Sequence, residues 1–206
     1  MSSATTFDLN AYYNYYNGNT GTLTINASST FISASNPFFS VGGNISIDVT
    51  STFPTVLGGL TLDGDGSVQV VDMSNITDYG IFTKSGSSTF TPITNMIISD
   101  LIFNGGNIGN PDTPYYISMT GDYYQISAGT FGGSNLTLIF SDTETQTISQ
   151  SAGIFSSIFQ IDKIGGVVQI SSTGFTVTTE SCNIIEGTFD INGKTFSCEG
   201  GFTVQD

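Results

Sequence analysis

The chain has 206 residues, with 17 acidic side chains against three basic ones (Lys84, Lys163 and Lys194), no Arg, His or Trp, and a net charge of −14. Phosphate backbones and anionic headgroups draw their affinity from cations, so nucleic acid and acidic membrane surfaces are poor partners. No run approaches the roughly 18 consecutive apolar residues of a membrane span.

Charged residues make up 10% of the chain, while Ser and Thr occupy 56 positions; an average globular protein has about 25% charged residues. Solubility therefore rests on hydroxyls and amides. The length suits one domain with a real core. Residues 1–8 have neither a basic start nor an apolar stretch, so no signal peptide is visible. Localisation stays open on these grounds.

Residues 1–18 stand apart as an aromatic segment. Tyr12, Tyr13, Tyr15 and Tyr16 fall within five positions. Tyrosines of this kind either cap the open end of a core or form an interface with another copy or a partner. Residues 19–206 form the domain proper. Alternating apolar and small polar residues predict short strands near residues 21–26, 30–34, 44–50, 60–63, 67–72, 79–83, 96–103, 115–119, 123–127, 135–141, 145–149, 154–161, 167–171, 174–179, 184–191, 194–197 and 202–204. Glu occurs only four times, and Thr, Ser, Ile and Phe dominate, so little of the chain favours helix. The class is all-β.

Six Gly-Gly pairs punctuate the strands, at residues 42, 58, 105, 132, 165 and 200. Five launch a strand-like run and the pair at 105 closes one. Their intervals of 16, 47, 27, 33 and 35 residues make no strict repeat. Near the C-terminus Ile191-Asn192-Gly193-Lys194 is a type I′ turn signal, which predicts a hairpin-like cap with Phe189 across from Phe196. Two architectures accommodate these strands: a parallel β-helix, which suits many short strands with Gly, Asn and Asp at corners, and an antiparallel sandwich or jelly roll.

The run Gly59-Leu60-Thr61-Leu62-Asp63-Gly64-Asp65-Gly66, followed by Asn95-Met96-Ile97-Ile98-Ser99-Asp100-Leu101-Ile102-Phe103-Asn104-Gly105-Gly106-Asn107, resembles successive rungs of the right-handed parallel β-helix proteins related to pectin lyases. The resemblance is one of fold and style. It implies a single rod of stacked coils with an aliphatic lumen. Lyases of that superfamily use an Arg or Lys base beside carboxylate-bound calcium, and polygalacturonases use three Asp with a His and an Arg-x-Lys pair. Without Arg or His, this chain carries over neither set.

Other chemistry is sparse. Asp63 with Asp65, Asp72 with Asp78, and Asp100 are the carboxylates available to a glycosidase-like pair, which needs separations of about 5–9 Å. Asp63-Gly64-Asp65-Gly66 reads first as a turn. The same stretch through Ser67 is oxygen-rich enough to suggest weak structural calcium, although Ser74 stands where an EF-hand has its last acid. Otherwise no cofactor is expected. Tyr115, Tyr116, Tyr123 and Tyr124 flank Gly121 and Asp122 and could face a sugar ring. Cys182 and Cys198 are the only cysteines, either bonded or free.

The resulting expectation is a non-enzymatic structural protein that assembles with copies of itself into a fibre, coat or virion or surface layer. The alternative is a carbohydrate-binding or polysaccharide-active β-helix protein.

Overall fold

Runs of three to six alternating residues, broken by Gly, Asn, Asp and Ser, are too short to form helix, and each buries only one face as a strand. The computed structural model describes residues 6–9, 23–25, 30–33, 36–47, 51–52, 54–65, 68–73 and 76–205, and these contain strands and corners without a helix. The strands are β1 (Thr6–Leu9), β2 (Leu23–Ile25), β3 (Thr30–Ser33), β4 (Phe38–Val41), β5 (Ile45–Ile47), β6 (Gly59–Leu62), β7 (Val68–Gln69) and β8 (Val71–Asp72). They continue with β9 (Ile81–Lys84), β10 (Thr89–Phe90), β11 (Met96–Ile98), β12 (Leu101–Phe103), β13 (Asn107–Ile108), β14 (Tyr115–Met119), β15 (Tyr123–Gln125) and β16 (Thr130–Phe131). The last are β17 (Leu136–Phe140), β18 (Gln146–Gln150), β19 (Ile154–Phe155), β20 (Ile158–Ile170), β21 (Gly174–Val177), β22 (Cys182–Asp190), β23 (Thr195–Cys198) and β24 (Phe202–Val204).

Every pairing between these strands is parallel. The protein is a single-domain parallel β-solenoid, and the antiparallel sandwich is ruled out. Face one stacks β4, β6, β9, β12, β15, β18 and the second halves of β20 and β22. Face two stacks β7, β10, β13, β16, β19, β21 and β23. Face three stacks β11, β14, β17, the first halves of β20 and β22, and β24. The chain visits the three faces in turn and returns one coil further on, for about eight coils. Two short sheets, β1 with β3 and β2 with β5 and β8, accompany the first coils.

The coil length explains why the glycine intervals look irregular. On face one, Leu101 pairs with Phe82 and with Tyr123, and Tyr123 pairs with Ile148, so a circuit takes 19 to 25 residues. The Gly-Gly pairs sit at different corners: residues 105 and 106 follow face one, 132 and 133 follow face two, and 165 and 166 follow face three. At the last of these, positive φ values of 97° and 69° bend β20 from one face to the next, a backbone that costs glycine least. Corners also divide three of the predicted strands; residues 67–72 become β7 and β8. Residues 96–103 become β11 and β12 around Ser99 and Asp100, and residues 154–161 become β19 and the start of β20.

The C-terminal cap corrects the hairpin expectation. The turn itself forms, with Lys194 N donating to Ile191 O at 2.8 Å and positive φ at Asn192 and Gly193. Its flanking strands do not pair with each other. β22 pairs with β20 and β24, and β23 pairs with β21, because each finds a parallel neighbour in the coil beneath. Phe189 and Phe196 still meet, edge to face with ring centroids 4.8 Å apart, across a corner instead of a hairpin.

Inward positions of the three faces fill the lumen. Phe131 and Phe155 stack at 5.0 Å with their planes 5° apart, and Phe175 follows Phe155 at 5.1 Å. Burying each ring contributes about 1.5–3 kcal/mol and each favourable ring pair about 0.5–1.5 kcal/mol more.

Candidate functional site

Alternation puts polar side chains on the outside of each face and at the corners, and there they bond the neighbouring coil. Asp100 Oδ1 accepts Asp122 N–H at 2.8 Å, and Asp122 Oδ1 accepts Thr147 N–H at 2.6 Å. At other corners Asn95 Oδ1 accepts from Tyr116 N at 3.0 Å, Asn107 Oδ1 from Thr130 N at 2.9 Å, and Asn110 Oδ1 from Asn135 N at 2.8 Å. Side-chain amides complete the set from inside. Gln69 Nε2 donates to Val41 O and Gly43 O, both at 3.0 Å, and Gln146 Nε2 donates to Met119 O and Gly121 O at 2.9 and 2.7 Å. Corners lack ladder partners, so these bonds replace what the sheets cannot supply.

Two of the three lysines lie inside. Lys84 and Lys163 have no accessible surface. Lys84 Nζ donates to Ser85 O, and Lys163 Nζ donates to Gln146 Oε1 at 2.6 Å. Burial pulls Lys84 down to about 8, against the raising fields of Asp63 and Asp65. Burial also lowers Lys163, opposed by Asp142 and Glu144. The sequence reading missed both, and missed Gln69, Gln125 and Gln146 as lumen residues. Phase was the available signal: Lys84 follows Phe82 by two positions, and Lys163 follows Phe159 and Ile161. A second signal was the 22-residue spacing of Asp100 and Asp122, which stack at one corner.

The carboxylates singled out from the sequence are dispersed into this bonding. Asp63 Oδ2 accepts from Ser40 Oγ at 3.1 Å, while its Oδ1 is buried without a hydrogen-bond partner. Asp65 Oδ1 accepts from Ser87 N at 3.4 Å. Asp78 Oδ1 accepts from Gly80 N at 2.8 Å, and Asp72 is exposed on β8. The cation facing Asp63 and Asp65 is the ammonium of Lys84. Gly66 and Ser67, the rest of the candidate calcium loop, lie outside the described residues. Among the described residues no three acidic, His or Cys side chains converge on a point where they would hold a metal.

The tyrosine doublets split as alternation requires. Tyr123 is fully buried, and Tyr115 packs against the core. Tyr124 faces outward on face one, where its hydroxyl donates to Asp122 Oδ2 at 2.7 Å; that bond, with smaller contributions from burial and the charges of Asp122 and Asp100, raises its phenol to about 12. Tyr116 faces outward on face three and is 39% exposed. The two exposed rings therefore do not share a platform. Nor does face one carry a threonine row, since Thr61 and Thr83 are followed in register by Ile102 and Tyr124.

The last coil differs from those below it. Phe202 and Val204 are 52% and 57% exposed, and Phe189 and Phe196 are only half-buried. Phe196 nevertheless stacks on Phe175 at 6.3 Å and touches Phe202 at 6.0 Å, so it continues the internal aromatic column. A disulfide between Cys182 and Cys198, with Cα atoms 6.3 Å apart, fastens this coil to the one beneath. Tyr12, Tyr13, Tyr15 and Tyr16 lie outside the described residues. Compared with protein-family models, with characterised protein sequences and with solved structures, the chain matches none; its likeness to the pectin-lyase-like β-helices is one of architecture.

Proposed function

We propose that this chain is a non-catalytic structural rod that associates with copies of itself to build a larger assembly, such as a fibre, coat or virion or surface layer. The observation that carries this reading is the open last coil. Its apolar residues are in register with the lumen column, its outer edge is unpaired among the described residues, and open sheet edges favour the addition of further strands. Two features support the same reading. Asp100, Asp122 and the corner asparagines hold coil to coil, which suits a load-bearing element. The disulfide on the last coil suits an oxidising setting such as a virion or extracellular surface.

Light scattering on the purified chain, followed by electron microscopy of the eluted species, tests the proposal. Elongated particles of at least two chains are the expected result. A monomer at every concentration up to roughly 100 μM, where even weak specific pairs associate, overturns it.

A further inference from the structure

We propose that two copies of the chain join side by side through face three, about a two-fold axis parallel to the rod, with the outward side chains of β11, β14, β17 and the first half of β20 interlocking between them. The inference rests on the self-association reading above and names its surface and its partner, a second copy of this chain.

The observation that leads to it is a pattern in the outward positions of four successive coils. Parallel register stacks these positions in two columns. One column runs Ile97, Ser118, Ile139, Gln160, and the other runs Asn95, Tyr116, Thr137, Ile158. Each coil therefore presents one large apolar side chain beside one polar side chain, and the large one changes column at every coil. Ile97 is 44% exposed and Tyr116 39%, while Ile139 and Ile158 are half-buried. The next coil carries Ser181 and Asn183 at the same positions, so the apolar patch ends in a polar border.

On one copy this pattern is half-filled, with a gap between large side chains at alternate coils of each column. A copy turned about an axis that runs along the rod, between the two columns, exchanges the columns level for level. Its Tyr116 then stands over Ser118, its Ile139 over Thr137, its Ile97 over Asn95 and its Ile158 over Gln160. Every column becomes Ile97, Tyr116, Ile139, Ile158, supplied by the two copies in alternation. Coils stacked about 4.8 Å apart, in sheets that face each other across about 10 Å, leave room for such side chains to interdigitate. A partner without the same stagger would leave the gaps open, so the pattern selects a second copy. A two-fold interface of this kind is closed and makes a dimer.

Charge selects the axis. The eight interlocking positions carry no charge on a protein of net charge −14. An axis along the strands would also set large side chains against polar ones, but it would lay the corner between faces three and one over its own copy. Asp122 would then meet the mate's Asp142, and Asp100 the mate's Asp162. Like charges set against each other across an interface oppose association. The axis along the rod puts these corners on opposite flanks, where exposed Asp112 is the one carboxylate of the four coils on the side of the mate's Asp122.

Sedimentation equilibrium on the 206-residue chain and on outward-facing variants tests this. The wild-type chain is expected as a dimer. Tyr116→Ser and Ile139→Ser each weaken it about tenfold or more, because each empties a filled gap at the centre of the interface. Ser118→Tyr alone weakens it too, by setting a ring against the mate's Tyr116. Combining Tyr116→Ser with Ser118→Tyr restores the dimer, since one large side chain again fills each place; about the strand axis the same exchange sets the new ring against the mate's Ile139. Ile154→Ser, exposed on face two, leaves the affinity unchanged. Circular dichroism confirms that each variant keeps its strand signal. If the wild-type chain associates and the face-three variants leave its affinity unchanged, the surface is wrong while self-association stands. Single variants that weaken the dimer without recovery in the combined exchange overturn the axis along the rod. A monomeric wild-type chain removes both proposals.

Discussion

Asp122 shows what one side chain does at a corner. Its Oδ1 holds Thr147 N–H of the next coil and its Oδ2 accepts the Tyr124 hydroxyl. Asp122→Asn keeps an acceptor but removes the charge, so the Tyr124 phenol is expected to fall from about 12 toward its ordinary value, read by ultraviolet titration. Asp122→Ala also strands the Thr147 amide and is expected to cost about 1–3 kcal/mol in denaturant unfolding. Unchanged values in both variants would show that Asp122 is not bonded as described. Lys84 provides a pH test with a definite sign. Its pKa in the fold, about 8, lies below the ordinary 10.5, so between those values the unfolded chain binds more protons and stability rises with pH. The stability of the wild-type chain relative to Lys84→Met is expected to increase across that window by on the order of 1–3 kcal/mol. A difference that stays flat with pH would place the ammonium in solvent.

At the scale of the element, a strand of two or three residues is stable only as one rung of a stack, because an isolated pair has too little apolar surface to hold it. Face two illustrates this, since β16 and β19 contribute two residues each and are anchored by Phe131 and Phe155. Truncating Phe131 to Ala opens a cavity beneath its neighbours and is expected to cost about 3–5 kcal/mol, measured by chemical denaturation. A loss below about 1 kcal/mol would mean that the lumen rearranges freely around the gap. Strand existence was readable from alternation alone, as at Leu136, Leu138 and Phe140. Corner positions were not: Ser99 and Asp100 interrupt an apolar run that reads as one strand, and only the coil above and below decides that the chain bends there.

For the whole molecule, stability is distributed along the stack, each coil leaning on its neighbours, and the coil of β23 and β24 has one neighbour instead of two among the described residues. The disulfide offsets this by closing a loop of 16 residues, worth about 3 kcal/mol in the chain-entropy account. Reducing it is expected to leave the central coils protected in amide hydrogen exchange, while the amides of β23 and β24 exchange faster by tenfold or more. Equal acceleration throughout would mean that the rod unfolds as one unit from that end.

Composition and alternation determined that this protein is all-β and that it turns corners on Gly, Asn and Asp; these follow from local backbone preference, which needs no fold. The resemblance to β-helix rungs pointed to stacked coils for the same local reason. The coil period, the faces to which Tyr116 and Tyr124 belong, the burial of Lys84 and Lys163, and the failure of the Asn192 turn to form a hairpin were decided only by tertiary structure. Each depends on which strand lies 19 to 25 residues away, and a parallel neighbour at that distance leaves no mark within a window of ten residues.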